Sequence, residues 1–395
     1  MSDNYKYDLR GVSATKDEVH QAIKHLDKGL YPNAFCKILP DIVGGDEAYC
    51  NLMHADTAGT KTSAAYLYWK ETGDLNVWKG IAQDALVMNL DDMACVGCVD
   101  HIVLSSTIGR NKLLIDGEVI STLINAANDF LNLLGEHGIN VKLAGGETAD
   151  VGDVVRTLDV GYTTFARMKR SEVIENQIQA GDVVVGLASF GQASYEQSYN
   201  SGIGSNGLTS ARHDVLNFDY AEQYPESFDP NLPDEVTYVG LKKLTDSIPA
   251  DAIPGVTGLN VGQLLLSPTR TYLPVLKKLL ATHRSAIHGI IHCSGGAQTK
   301  VLKFLHNKRV IKDQLFATPY LFQLIQEQSG TTWKEMYQVF NMGHRLEVYL
   351  PESEANAVIE AAASFNIDAQ IIGRVEDWEG EQVDIRSPYG VFTYQ

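Results

Sequence analysis

Three clusters of side chains in this chain have the types and spacing needed to handle phosphate groups. The first is His54-Ala55-Asp56-Thr57-Ala58-Gly59-Thr60-Lys61, where a carboxylate arrives at a strand end and a glycine and a lysine follow. Small residues there let backbone N–H groups approach an anion. The spacing is not that of a P-loop, and the plainer reading is an aspartate beside a tight turn. The second cluster is Asp84, Asp91 and Asp92 in an otherwise apolar helical stretch. Seven or eight residues is about two turns, so Asp84 shares a face with one or both of the others. Like charges on a partly buried face need neutralising, and Mg²⁺, which takes carboxylate oxygen and bridges to substrate phosphates, would do so. A solvated acidic face is the alternative. The third cluster is Gly145-Gly146-Glu147-Thr148-Ala149-Asp150, directly after the strand-like VKLA. Its glycines permit close backbone approach, and Glu147 is a further candidate ligand; a Gly-rich turn with surface carboxylates is the competing reading.

Three loops in the second half are similar in kind: Gly204-Ser205-Asn206-Gly207, Ser294-Gly295-Gly296-Ala297 and Phe340-Asn341-Met342-Gly343. Each puts small or amide residues beside an element terminus, and each alone reads as a turn. Cys95-Val96-Gly97-Cys98 has the look of a redox or zinc pair, but no second Cys or His pair completes a zinc site. It also follows a helix instead of opening one, where a thiolate would gain from the helix dipole.

The elements that must carry these residues alternate in type. Residues 47–56 read as a strand and Trp78 to Cys95 as a helix, followed by the apolar run at 101–107. Asp116 is placed to cap a helix whose Val119, Ile120, Leu123, Ile124, Leu131 and Leu134 recur at helical spacing, with Gly135 and Gly138 as stop signals. Strand character resumes at Val141–Ala144 and again over 154–166, and the polar Lys169–Glu172 marks a domain boundary. The second half opens with the apolar strand 182–189. Segment 217–260 carries five prolines and no periodicity, the mark of a functional excursion or a disordered flap. A helix at 270–282, a strand at 287–292, a strand at 345–350, a helix at 353–364 and a strand at 368–374 complete the pattern.

Composition bounds the rest. A chain of 395 residues suggests two or three domains and a sizeable core without disulfides or structural metal. The formal net charge of −17 argues against a nucleic-acid or anionic-membrane binder, without excluding phosphorylated ligands at a locally basic or Mg²⁺-bearing site. The N-terminal MSDNYKYDLR has no apolar core, so no secretory signal is expected there, and no stretch approaches the ~20 apolar residues of a membrane span. Five scattered cysteines are expected to be reduced thiols in a cytoplasmic protein.

Taken in order, the clusters resemble the aminoimidazole ribonucleotide synthetase (phosphoribosylformylglycinamidine cyclo-ligase) family. That family's first loop reads roughly G-T-D-G-V-G-T-K, matched from Asp56 to Lys61 by D-T-A-G-T-K. Its helix carries D-x-x-x-x-x-x-N-D-L, matched by Asp84 and by Asp91-Asp92-Met93, and its G-G-E-T-A-E is matched by Gly145 to Asp150. S-N-G recurs at Ser205 to Gly207, P-T-R-I-Y at Pro268 to Tyr272, F-N-M-G at Phe340 to Gly343, and an echo of D-x-G-V at Leu9 to Val12. The departures are a Gly204 where the family usually has a His before S-N-G, and an I-T-G-G-G loop that reads His292-Cys293-Ser294-Gly295-Gly296-Ala297. A family Gly-rich N-terminal segment is replaced by Pro32 to Gly45, and 217–260 reads as an insertion.

The resemblance implies a two-domain α+β protein, dimeric, with N-terminal strands forming an intersubunit β-barrel. Residues 1–172 would be the ATP/Mg-binding and dimerisation domain, and 173–395 an α/β domain. It implies that ATP phosphorylates the amide oxygen of formylglycinamidine ribonucleotide and a ring nitrogen then displaces phosphate, giving aminoimidazole ribonucleotide for purine biosynthesis. By the same carry-over Asp56, Asp84, Asp92 and Glu147 would hold Mg²⁺. Thr60, Lys61, Gly145, Gly146 and Thr148 would serve the nucleotide, and Ser205, Asn206, Gly207 and Asn341 the substrate or closing site. Lys61, Asn206 and, in place of the missing histidine, His292 are the catalytic candidates. Competing readings are a selenophosphate synthetase-like or thiamine monophosphate kinase-like phosphoryl-transfer enzyme of the same superfamily, and a nucleotide-binding paralogue without catalysis. No nucleic-acid or membrane partner is expected.

Overall fold

Two sheets carry the chain in the computed structural model, which describes residues 6–13 and 17–395. The opening stretch read for a leader begins at residues 1–5, which lie outside the described residues. The first sheet is five-stranded, in the order Ile38–Pro40, Tyr49–Thr57, Leu158–Lys169, Ile102–Arg110, Val141–Asp150. Only the last pair runs parallel. One face is covered by the helix Val77–Ala94, whose residues are almost all buried, and by the amphipathic helix Gly117–Glu136 beside it. Asp116 caps the latter as expected, its Oδ1 accepting from the N–H groups of Glu118 (3.0 Å) and Val119 (3.1 Å). The other face of the sheet is open. Met53, Phe165 and Val103 are cross-strand partners and therefore form one apolar row on it, with Met53 59% and Val103 43% exposed.

The expectation of a strand ending at Ala144 and a glycine turn after it is corrected by the structure. The strand runs on through Gly145–Asp150, with Gly146–Asp150 paired residue by residue with Ser106–Arg110 after a register shift. Gly146 makes this possible, because a Cβ there would collide with the side chain and carbonyl of Ser106.

The second sheet is seven-stranded, in the order Gly390–Tyr394, Glu381–Ser387, Lys308–Lys312, Ala369–Asp377, Asp182–Ala188, His344–Pro351, Gly289–His292. Asp182–Ala188 is buried along its whole length, which is why it reads as a continuous apolar run. The hairpin of Glu381–Ser387 and Gly390–Tyr394 lies beyond the last strand read from the sequence pattern. Segment 217–260 is ordered as short turns and helices, and buries Tyr220, Tyr238 and Leu244. It is pinned to the helix Lys61–Thr72 through Tyr66–Glu226 (2.6 Å) and Tyr220–Glu71 (2.6 Å). All five cysteines are buried free thiols, and among the described residues no helix is long and apolar enough to cross a membrane.

Inside the second sheet, Cys293, His344 and Glu347 bring ligand atoms within 4.8 Å of one another, all buried. An ammonium already closes this cluster: Lys312 Nζ donates to Glu347, which also accepts from Tyr349 Oη (2.6 Å) and pairs with His344 Nε2 (2.9 Å). Burial pushes the Glu347 carboxyl up, but Lys312 and His344 outweigh it and hold it down to about 2. A free glutamate titrates near 4.3, so this group's contribution is complete above that pH and is lost as pH falls towards 2. Glu347→Gln is expected to lose about 3–5 kcal/mol at neutral pH, by leaving Lys312 uncompensated. In urea unfolding across pH, the gap to wild type should narrow below about pH 4 and stay constant from 5 to 7.

Candidate active site

A cavity of about 1190 Å³ opens where the two sheets meet. The strand Tyr49–Thr57 brings His54 and Asp56 to one wall, and the helix Val77–Ala94 brings Asp92. Thr60, at the start of the helix Lys61–Thr72, meets Thr209 at the start of the helix Leu208–Val215, their hydroxyls 2.7 Å apart. Ser205-Asn206-Gly207 and Ser294-Gly295-Gly296 form the wall from the second half, and Tyr7, Asp8, Gly11, Val12 and Ser13 of the N-terminal segment also line the cavity. The buried Arg10 anchors that segment through Asp214 (2.7 Å), Ser210 (2.9 Å) and the Val236 carbonyl (3.0 Å).

Of the residues singled out from sequence, Asp56, Thr60, Asp92, Ser205, Asn206 and Gly207 share this cavity. Asp92 is 7% exposed, with Oδ1 2.6 Å from His292 Nδ1 and Oδ2 3.3 Å from His54 Nε2. Burial raises the Asp92 carboxyl, but the two imidazoles overcome this and keep it below the usual carboxylate range. Burial pulls His54 down, and Asp92, aided by Asn89, more than reverses it, so His54 is raised. His292 is wholly buried behind Asp92 and does not line the cavity; its Nε2 has no hydrogen-bond partner. His54 opens the first cluster read from the sequence but is given no role there. The available signal was alternation: two residues before Asp56 on one strand, it had to share that carboxylate's face.

Lys61 and Asp84 lie elsewhere, both fully buried and facing each other. Lys61 Nζ donates to Asp84 Oδ1 (2.9 Å) and to the carbonyls of Gly204 (3.1 Å) and Ser267 (2.6 Å). Asp84 Oδ1 also takes the N–H and hydroxyl of Thr269 (2.7 and 2.5 Å). Three acceptors occupy the ammonium, so it ties loops together and leaves no proton directed at the cavity. Asp91 is likewise internal, accepting from Thr271 Oγ1 (2.7 Å) and Tyr272 N (3.0 Å). Asn341 is 4% exposed and bridges Ser189 Oγ (2.9 Å) and the Gly202 carbonyl (2.7 Å), bracing the Ser205–Gly207 loop from behind.

Gly145, Gly146, Glu147 and Thr148 are exposed on the edge strand, away from the cavity. Asp56 is in cross-strand register with Tyr162, Ser106 and Gly146, which puts it three strand spacings, roughly 14 Å, from that edge. Glu147 occupies the next row, with Thr107, Gly161 and Thr57, on the opposite face of the sheet. Within one chain, Glu147 therefore does not join Asp56 and Asp92 on a common ion.

The position before Ser205 has a steric explanation. Gly204 has φ +72°, and a Cβ there would lie 3.1 Å from Arg345 Nη1. The Arg345 guanidinium fills that space, reaching towards Asp91 (3.7 Å) and donating to the Arg270 carbonyl.

The Lys61–Asp84 arrangement makes a stability prediction. Lys61→Met should cost about 3–5 kcal/mol in urea unfolding by stranding a buried carboxylate. The double variant Lys61→Met/Asp84→Leu should recover most of that loss. A single variant of unchanged stability would show that the ammonium is not structural.

Family models agree with this architecture. AIR synthase related protein, N-terminal domain, matches residues 38–168, and AIR synthase related protein, C-terminal domain, matches 242–386. A "Phosphoribosylformylglycinamidine cyclo-ligase" of Methanocaldococcus jannaschii is 28% identical over 330 residues, 83% of this chain and 79% of that one. Among solved structures, one described as "T. maritima PurL complexed with FGAR" superposes with a TM-score of 0.54 at 11% identity, over 96% of this chain; this chain spans about half of that one, 49%. Another, "AaThiL complexed with AMPPCP and TMP", gives 0.53 at 12% identity, over 95% of this chain and 94% of that one. These two similarities carry the fold alone. With both domain models matched in order across the two sheets, the chain belongs to the AIR synthase related family.

Proposed function

We propose that this chain is an ATP-dependent phosphoribosylformylglycinamidine cyclo-ligase of purine biosynthesis, acting in the cytoplasm as a homodimer. The observation that carries the reading is the cavity itself, which sets Asp56 and Asp92 opposite the Ser205–Gly207 and Ser294–Gly296 turns. The cyclo-ligase relative adds the reaction, and the solved neighbour described with AMPPCP supports a nucleotide. Residues 1–172 supply the acidic wall and 173–395 the turns facing it.

An amide oxygen is a poor leaving group, and phosphorylation makes it a good one. Transfer needs two anionic substrates held in line with their charge neutralised. Two carboxylates beside a phosphate site are the donor set Mg²⁺ ordinarily takes, with phosphate oxygens and water completing its shell. Asp56 and Asp92 fit that role, and the ion would supply charge neutralisation at the transferring phosphoryl group. His54 and His292 hold the Asp92 carboxylate ionised and oriented, Asn206 offers its amide to the substrate, and Thr60 borders the nucleotide. The closing step forms a C–N bond as the phosphorylated oxygen leaves with its phosphate.

Dimerisation is supported by the open apolar row Met53–Phe165–Val103 and by the exposed edge strand bearing Glu147. A second copy laid on that face would cover the row.

Incubation with formylglycinamidine ribonucleotide, ATP and Mg²⁺ should give aminoimidazole ribonucleotide and ADP in matched amounts, with Asp92→Asn slower by about 10²-fold or more. ATP binding without either product would leave a nucleotide-binding paralogue. Asp56→Asn and Glu147→Gln should each be inactive alone. If each site draws on both copies, dissociating and remixing the two variants should restore about a quarter of wild-type turnover, whereas no recovery would place every site within one chain.

A further inference from the structure

The charge lining the cavity is divided. Among the described residues, Asp8, Glu18, Asp56 and Asp92 are its acids, and apart from the Asp92-bound His54 its basic groups are Lys300 and Lys303. Both lie on the 3₁₀ helix Ala297–Phe304, which leaves the Ser294-Gly295-Gly296 turn. Side chains three apart eclipse in a 3₁₀ helix, so the two lysines project from one side. Lys300 is held in place: its Nζ lies 5.2 Å from the centre of the Phe35 ring, which stacks on Phe304 at 5.3 Å and 14°. Beside them, Asn206 faces the same turn, and its buried Oδ1 has no hydrogen-bond partner.

A phosphate ester brought into this cavity is repelled by four carboxylates unless a cation meets it. A divalent ion at Asp56 and Asp92 answers for the nucleotide polyphosphate, but a second, separate phosphomonoester needs its own counter-charge. We infer that Lys300 and Lys303, with the Ser294–Gly296 turn, form the seat for the 5′-phosphate of the ribonucleotide substrate, at the end of the cavity away from the nucleotide. This rests on the cyclo-ligase reading and adds the direction in which the substrate lies: phosphate at the lysines, reacting amide towards Asp92. Two ammonium groups at eclipsed positions match a phosphomonoester's three oxygens as point charges. The seat requires no metal.

The test compares wild type with Lys300→Gln, Lys303→Gln and the double variant, each checked for unchanged circular dichroism and urea midpoint. Two readouts are taken: KM for both substrates, and calorimetric binding of ribose 5-phosphate alone. Loss of one charge-assisted hydrogen bond should raise the ribonucleotide KM at least about tenfold per lysine. KM for ATP should move less than about twofold, and ribose 5-phosphate binding should fall in parallel with the ribonucleotide effect. A rise confined to KM for ATP would assign the lysines to the polyphosphate and overturn the proposal. An active wild type with both KM values unchanged in the double variant would overturn it as well. Wild type that binds ribose 5-phosphate through these lysines but makes no aminoimidazole ribonucleotide would sink the reaction assignment while keeping the phosphate seat.

Discussion

A buried ammonium lies at the junction of the two halves of this molecule and ties them together. Lys61 lies at the start of a helix in the first half, and its three acceptors come from the helix Val77–Ala94, the turn at Gly204 and the segment ending at Ser267. An unpaired charge at that depth would cost several kcal/mol, so all four segments are fixed relative to one another or none is. The cavity lies directly over this junction. Its walls come from both halves, which this ion pair helps to hold together.

The helix Val77–Ala94 extends the same constraint upward. Asp84 and Asp91 are two turns apart and take consecutive hydrogen bonds from the segment Thr269–Tyr272, so one helix face is sewn to one strip of the second half. Asp92 is rotated about 100° from Asp91 and so faces outward into the cavity. Three acidic residues in one stretch thus divide their work by angle, two internal and one at the surface of the site. The N-terminal segment, clamped through Arg10, adds a further part of the lining.

The elements that place the site were largely legible, because their signals are local. Asp116 announces its helix by capping chemistry, Val77–Ala94 by its apolar continuity, and Asp182–Ala188 by an unbroken apolar run. Asp56 and Asp92 were found because a strand end and a helix of known period deliver them. The partner that neutralises a buried carboxylate was not legible: a helical face shows that Asp84 needs one but not whether it is an ion, Lys61 or Thr269. Nor was the face on which Glu147 emerges, since a register shift opposite Ser106 resets the alternation and no local residue marks it. His54 was within reach of simple parity, and Lys300 and Lys303 became visible only once the helix proved to be of the 3₁₀ kind.

Gly204 and Arg345 are close neighbours. The guanidinium lies 3.1 Å from where a Cβ at 204 would stand, so a side chain there would press on it. Placing a histidine at 204 while Arg345 remains would be punished twice, by overlap and by the left-handed backbone, and shortening Arg345 alone would open a void beside Asp91. Effects at the pair should therefore be strongly non-additive. A residue-by-residue comparison with relatives would score the glycine as a lost functional group without seeing that its neighbour in space comes from a strand 141 positions further along the chain.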